Sequence, residues 1–130
     1  MNAPRAAAPL VLVVDDEPTV LRFMQRTLAA AGYRAEAAAG ALQALELAAE
    51  LSLPLSAVVT DLRMNPIDGP DFARLLAEIY PGTPVLFVTG YLEEFEHRRV
   101  TGPVLQKPFS SDQLLTALQQ LLTAQPPVTH

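Results

Sequence analysis

The stretch Leu10-Val11-Leu12-Val13-Val14-Asp15-Asp16-Glu17-Pro18 decides the fold. Five apolar residues in unbroken succession predict a strand covered on both faces, the habit of parallel strands in α/β proteins. The run then breaks into three acids and a proline. Ligands of open α/β sheets gather outside the carboxyl ends of the strands. Two adjacent carboxylates repel each other, and a divalent cation is the usual way to relieve that at the mouth of a crevice. The acidic run therefore reads as a metal site at a strand end. It also reads as an acidic loop that merely opens a helix, since Asp ahead of Pro is an ordinary helix start. The rest of the chain has to decide between the two.

Composition narrows the field. A chain of 130 residues, 50% of them hydrophobic, suits one compact domain with one core. No stretch approaches the roughly 18 consecutive apolar residues of a membrane span. The Ala-rich start with Arg5 lacks the apolar segment of a signal peptide, so a soluble, cytoplasmic chain is expected. The absence of cysteine excludes disulfides, thiolate metal sites and a cysteine nucleophile. With only His97 and His130, a zinc site is not expected. A net charge of −5 and the lack of a basic run argue against a nucleic-acid surface.

Strand and helix patterns alternate along the chain with short connections, the pattern of a parallel sheet wrapped by helices. After the first strand, Pro18 opens a helix to Ala31, with Val20, Leu21, Met24, Leu28 and Ala31 at helical spacing and Gly32 as the stop. Tyr33 to Ala38 reads as a strand. Ala41 to Leu51 reads as a helix with Leu42, Leu45 and Ala49 on one side, followed by a loop containing Pro54. Ala57 to Thr60 is the third strand, ending in Asp61. A Pro/Gly-rich loop leads to a helix from Pro70 to Tyr80, whose buried positions are predicted to be Phe72, Leu75, Leu76 and Ile79. Pro84 to Val88 is the fourth strand, Glu93 to Arg99 a short charged helix, and Val104 to Gln106 the fifth strand. Ser110 and Gln113 form a capping box for a last helix with an apolar stripe of Leu114, Leu115, Leu118, Leu121 and Leu122. Flexible tails are expected at 1–9 and 123–130, flanking one domain over 10–122.

Parallel strands all end on the same side of a sheet. The ends of strands one, three, four and five then bring Asp15-Asp16, Asp61, Thr89 and Lys107 to one edge. Three carboxylates, a hydroxyl and an amine suit phosphoryl chemistry: a carboxylate nucleophile, a divalent cation, and donors for the phosphoryl oxygens. Lys107 is also the only lysine among nine basic residues. A compact ammonium on a flexible stem does work that a planar guanidinium does not. The plainer alternatives stay open: Asp61 as a helix-approach cap, Thr89 bonding its own loop, and Lys107 as a surface charge.

These ordered motifs resemble the receiver domains of two-component response regulators, a flavodoxin-like (βα)5 family, and the resemblance covers about Leu10 to Leu122. Asp15-Asp16 matches the acidic pair, Asp61 the phospho-acceptor, Thr89 the switch hydroxyl, and Lys107-Pro108 the lysine and proline, usually joined by a cis bond. The run from Asp61 through Asp68-Gly69 keeps the family's spacing from acceptor to glycine. The resemblance implies a five-stranded parallel sheet in the order 2-1-3-4-5. It implies that Asp61 accepts a phosphoryl group from a histidine kinase or histidine phosphotransfer protein, with Lys107 and Thr89 binding phosphoryl oxygens. It implies Mg2+ held by Asp16, Asp61 and the backbone carbonyl of Arg63, with Asp15 acting mainly through a bound water. The expected output is a change in binding to another protein; no attached effector is expected, because nothing outside the receiver is long enough to fold, and charge and hydropathy argue against direct contact with nucleic acid or membrane. Gly90 would leave room for the phosphoryl donor, and Arg63 and Tyr91 would influence phosphoryl lifetime.

Three positions depart from the family pattern. Asn65-Pro66 stands where Pro and a variable residue are usual. Val104 occupies the place of the usual switch aromatic, and only 17 residues separate Thr89 from Lys107, which shortens the helix between them. Thr89-Gly90-Tyr91 and Leu105-Gln106-Lys107-Pro108-Phe109 look most like receivers of hybrid histidine kinases, or a stand-alone relay module. Two rivals remain. One is a Mg2+-dependent phosphohydrolase with Asp15 as nucleophile and Glu17 two residues on as acid/base. The other is a receiver-shaped interaction module that is never phosphorylated.

Overall fold

The computed structural model describes residues 8–51, 54–90, 100 and 102–124. Its elements run β1 (Leu10–Val14), α1 (Pro18–Ala30), β2 (Arg34–Ala38), α2 (Ala41–Glu50), β3 (Ala57–Asp61), α3 (Gly69–Ile79), β4 (Val85–Thr89), β5 (Val104–Gln106) and α4 (Ser111–Thr123). The strands form one parallel sheet in the order β2-β1-β3-β4-β5. The helix expected over Glu93 to Arg99 lies outside the described residues. Among those described, no helix is long and apolar enough to cross a membrane.

All five residues of β1 are buried, as an unbroken apolar run requires, and so are all five of β3, although it ends in Thr60 and Asp61. Their side chains alternate between two cores. Leu10, Leu12, Val14 and Val58 meet α2 and α3 on one face, with Phe72 and Leu76. Val11, Val13, Val59 and Val88 meet α1 and α4 on the other, with Met24, Leu28, Leu114 and Leu118. The stripe expected on the last helix lies on this second core: Leu114 and Leu118 are fully buried and Leu115, Leu121 and Leu122 partly so. Both halves of the Ser110–Gln113 capping box are formed, at 3.1 and 2.8 Å.

Element ends shift where a backbone donor is committed elsewhere. Tyr33 is not in β2 because its amide bonds Leu28 O at 3.0 Å, closing α1, while Gly32 turns the chain at φ 98°. Pro84 has no N–H to offer β4, although its carbonyl accepts from Val58 N at 3.0 Å.

Two helix faces differ from expectation. Leu75 and Ile79 were predicted to be buried but are 40% and 42% exposed. The cause is Gly69: a Cβ there would collide with the backbone oxygen of Asp61, so α3 lies against the end of β3 with its first turn pressed inward. That fixes the rotation, placing Phe72 and Leu76 inward and Leu75 and Ile79 on the flank. In α2 the inward stripe is Ala41, Ala44 and Ala48, and Leu42 is 54% exposed. Small side chains let this helix lie close to the sheet. Leu42 and Ala49 sit about a third of a turn away, whereas Leu45 still packs on the core.

Candidate functional site

The strand ends meet as the sequence predicts. Asp15 follows Val14, and its amide bonds Ala38 O at 3.2 Å. Asp61 is the last residue of β3, in register with Val88 of β4. Thr89 ends β4 opposite Gln106. The Lys107 amide donates to Thr89 O at 2.7 Å, which ties the lysine's backbone to that strand end. The Lys107–Pro108 bond is cis, as is Asn65–Pro66. Phe109 packs against the core, its ring 6.1 Å from that of Phe23, and anchors the segment that carries the lysine.

Lys107 Nζ is the hub. It lies 3.0 Å from Asp15 Oδ2, 3.5 Å from Asp61 Oδ2 and 3.6 Å from Glu17 Oε1. Asp15 and Asp61 are buried, at 0% and 6% exposure, while Asp16 faces solvent. Asp15 Oδ1 accepts the Glu17 amide at 2.8 Å. Carboxylate oxygens of Asp15, Asp16 and Asp61 all lie within 4.8 Å of one another. The backbone of Asp61 is supported by the Thr60 hydroxyl, which donates to Asp61 O at 3.1 Å, and by the Gly69 amide, which bonds the neighbouring Leu62 O at 2.9 Å.

The electrostatics follow from this crowding. Burial, and then the charge of Asp15, push the Asp61 carboxyl up to about 6, against the pull of Lys107 and the Arg63 amide. Burial also raises Asp15, opposed by the Glu17 amide and by Lys107. For Lys107, burial acts downward, but the hydrogen bond and charge of Asp15 and the charges of Asp61 and Glu17 outweigh it and hold the ammonium above its ordinary value. One ammonium thus faces several acids, and the centre keeps excess negative charge that invites a cation.

These groups line an open cleft of about 1060 Å³. Asp16, Glu17, Asp61 and Lys107 occupy its charged end, and Val20, Phe23, Pro108 and Phe109 form an apolar shelf beside it. Arg63, Met64, Asn65, Pro66 and Gly90 also line the cleft. A Cβ at Gly90 would meet nothing within 4 Å. Thr89 is buried at the end of β4. Val104 is half-buried and pairs with Phe87. Tyr91 lies outside the described residues. Sequence reasoning missed two features: Glu17 as a partner of Lys107, and the steric need for glycine at 69. The signal for the first was available, since a sole lysine facing a three-acid run has more than one carboxylate to meet.

Fold and rim define a class: a flavodoxin-like, doubly wound α/β domain with a cation-seeking acidic cleft at the carboxyl ends of its strands. The profile of the response regulator receiver domain matches residues 11–119. The chain is 36% identical over 119 residues to the sensor kinase CckA of Brucella abortus (strain 2308), covering 88% of this chain and 13% of that protein. It is 30% identical over 118 residues to the response regulator receiver protein CpdR of the same strain, covering 88% of this chain and 97% of that one. A solved response regulator receiver protein from Sinorhizobium medicae WSM419 superposes with a TM-score of 0.78 at 34% identity, over 92% of this chain and 98% of that one. The chain belongs to the response regulator receiver domain family, a family of signalling domains in two-component systems. It spans 13% to 26% of several longer relatives and nearly the whole of CpdR.

Proposed function

We propose that this receiver is a phospho-acceptor in a two-component phosphorelay, with Asp61 as the acceptor and a histidine kinase or histidine phosphotransfer protein as the donor. The observation that carries this reading is the convergence of three carboxylates on the single lysine at the mouth of one cleft. A carboxylate oxygen of Asp61 attacks the phosphorus of a phosphohistidine. The O–P bond forms as the N–P bond breaks, and the bonding pair returns to the imidazole nitrogen, which takes up a proton. The Lys107 ammonium, already 3.5 Å from Asp61 Oδ2, then holds one phosphoryl oxygen. Thr89, at the end of the neighbouring strand, supplies a hydroxyl to another. Attack of water on the same phosphorus releases inorganic phosphate and restores the carboxylate. Arg63, on the cleft wall, influences the approach of that water.

The donor set fits Mg2+: hard carboxylate oxygens gathered within 4.8 Å, with room at the open end for retained waters. Asp16, Asp61 and the backbone carbonyl of Arg63 would hold the ion, with Asp15 acting mainly through a water. When bound, the ion supplies charge that offsets the phosphoryl oxygens. Their surroundings support this division of duties: Asp15 is buried against Lys107, while Asp16 faces solvent. We place the receiver at residues 10–122 and its action in the cytoplasm, with an output that is protein binding and no direct contact with nucleic acid or membrane. Self-phosphorylation from small donors and self-dephosphorylation are its only chemistry. The hydrolase reading loses ground because Asp15 is fully buried, with Oδ1 accepting the Glu17 amide and Oδ2, which accepts no hydrogen bond, ion-paired with Lys107 at 3.0 Å.

A small phosphodonor with Mg2+ and a mass measurement test the reading. Wild type should gain one phosphoryl group and Asp61→Asn none; no adduct, or an unchanged adduct in the variant, would sink it. Multiple turnover of a phosphate ester would point back to a hydrolase.

A further inference from the structure

Glu17 touches the site twice, in two different ways. Its backbone amide holds Asp15 Oδ1 at 2.8 Å, Asp15 Oδ2 meets Lys107 Nζ at 3.0 Å, and Lys107 Nζ meets Glu17 Oε1 at 3.6 Å. The three residues close a ring. Glu17 is also the N-cap residue of α1, and its side chain makes no capping bond to that helix. It reaches to the lysine instead.

The three carboxylates around Lys107 are not equivalent. Asp15 and Asp61 have side chains 0% and 9% exposed, whereas the Glu17 side chain is 62% exposed. We propose that Glu17 is a positioning residue that draws the Lys107 ammonium toward the mouth of the cleft until a phosphoryl group on Asp61 displaces it. The proposal rests on the phospho-acceptor reading. An ammonium has three donors, enough for Asp15 and a phosphoryl oxygen without Glu17. The solvated partner is held least tightly, since an exposed ion pair is worth little and costs side-chain entropy. An arriving phosphoryl group adds negative charge beside Glu17, so repulsion acts on that side chain while attraction acts on the lysine. Phosphorylation would therefore open the ring at its Lys107–Glu17 side and leave the amide side closed.

Glu17→Gln tests this cleanly, because it removes the charge and keeps the amide. Lys107 is the only lysine in the chain, so isotope-labelled lysine places a single ε-methylene resonance at the hub. Spectra are recorded with Mg2+, before and after beryllofluoride as a phosphoryl mimic. The expected result is that free wild type and free Glu17→Gln differ, while their beryllofluoride-bound resonances coincide. Glu50→Gln, at the far end of α2, controls for a change in net charge and should leave the resonance unmoved. Beryllofluoride should bind Glu17→Gln about two- to fivefold more tightly than wild type, the size of one exposed ion pair lost from the free state only. Coincident free resonances would overturn the proposal, as would a bound difference as large as the free one. If beryllofluoride moves nothing in wild type, the phospho-acceptor reading falls and the exchange with it; a free-state difference would then report only a static pair.

Discussion

The body of the sheet and its carboxyl-terminal rim are built from the same strands and obey opposite rules. In the body, β1 and β4 bury apolar side chains almost without exception. At the rim, the buried side chains become Asp15, Thr60, Asp61 and Thr89, which are all the buried polar residues among those described. Apolar burial stabilises by about 25 cal/mol per Å², so the body holds the fold together. The rim works against it, because burial there disfavours the charges that the chemistry needs. Stability and function are thus drawn from different ends of the same elements, a few residues apart.

The sharpest way to break this contrast is to damage the body and watch the fold. Phe72→Ala empties a fully buried site in the α2/α3 core and should cost about 3–5 kcal/mol in urea unfolding. A loss below about 1 kcal/mol would mean that the body is not what holds the domain. Gly69→Ala acts at the seam between the regions, since its Cβ has no space beside the Asp61 carbonyl. It should cost about 2–3 kcal/mol and also slow phosphoryl uptake, because relief of the clash must move the acceptor's backbone. A variant unchanged in both would remove the steric reason for the glycine.

The rim should answer with the opposite sign. Asp61 is raised from an ordinary 3.8 to about 6, by burial first and then by Asp15. A carboxyl that binds its proton more tightly in the folded state contributes stability that is complete below pH 3.8 and is lost as pH rises through about 6. At neutral pH, ionised Asp61 therefore costs the metal-free fold about 2–3 kcal/mol. Asp61→Asn should be more stable than wild type by about that amount at pH 7, with the gap closing toward pH 4. Saturating Mg2+ should narrow the gap at pH 7 by stabilising wild type. An equal gap at both pH values, or a less stable variant, would show that the rim is not strained by its own charge.

The rim was more legible in the sequence than the packing of the helices, and the reason is physical. Strand ends in a parallel sheet share one edge whatever the helices do, so the order of Asp15-Asp16, Asp61, Thr89 and Lys107 along the chain already places them together. Helix rotation has no such constraint when a helix is apolar on more than one face. On α4 a single leucine stripe left no choice, and Leu114 and Leu118 point inward as expected. On α2 an alanine stripe competed with Leu42, and on α3 the contact of Gly69 with Asp61 overrode the hydrophobic pattern. Glu17 was hidden for another reason: its backbone position is local to the loop, but its partner is 90 positions away in sequence.

The smallest expected effect tests the part of the body that sequence reasoning placed wrongly. Leu42 is large and apolar, yet 54% exposed, while Ala44 on the same helix is fully buried. If burial rather than side-chain size sets the contribution, Leu42→Ala should change stability by less than about 0.5 kcal/mol, with better helix propensity offsetting the little packing that is lost. Ala44→Leu should be the damaging change on that helix, costing about 1–3 kcal/mol by forcing α2 away from the sheet. Urea unfolding of the two variants side by side gives the answer. A reversed order would mean that α2 rotates about its axis to present its leucines, and the close approach of its alanine stripe to β1 and β2 would then be the feature to give up.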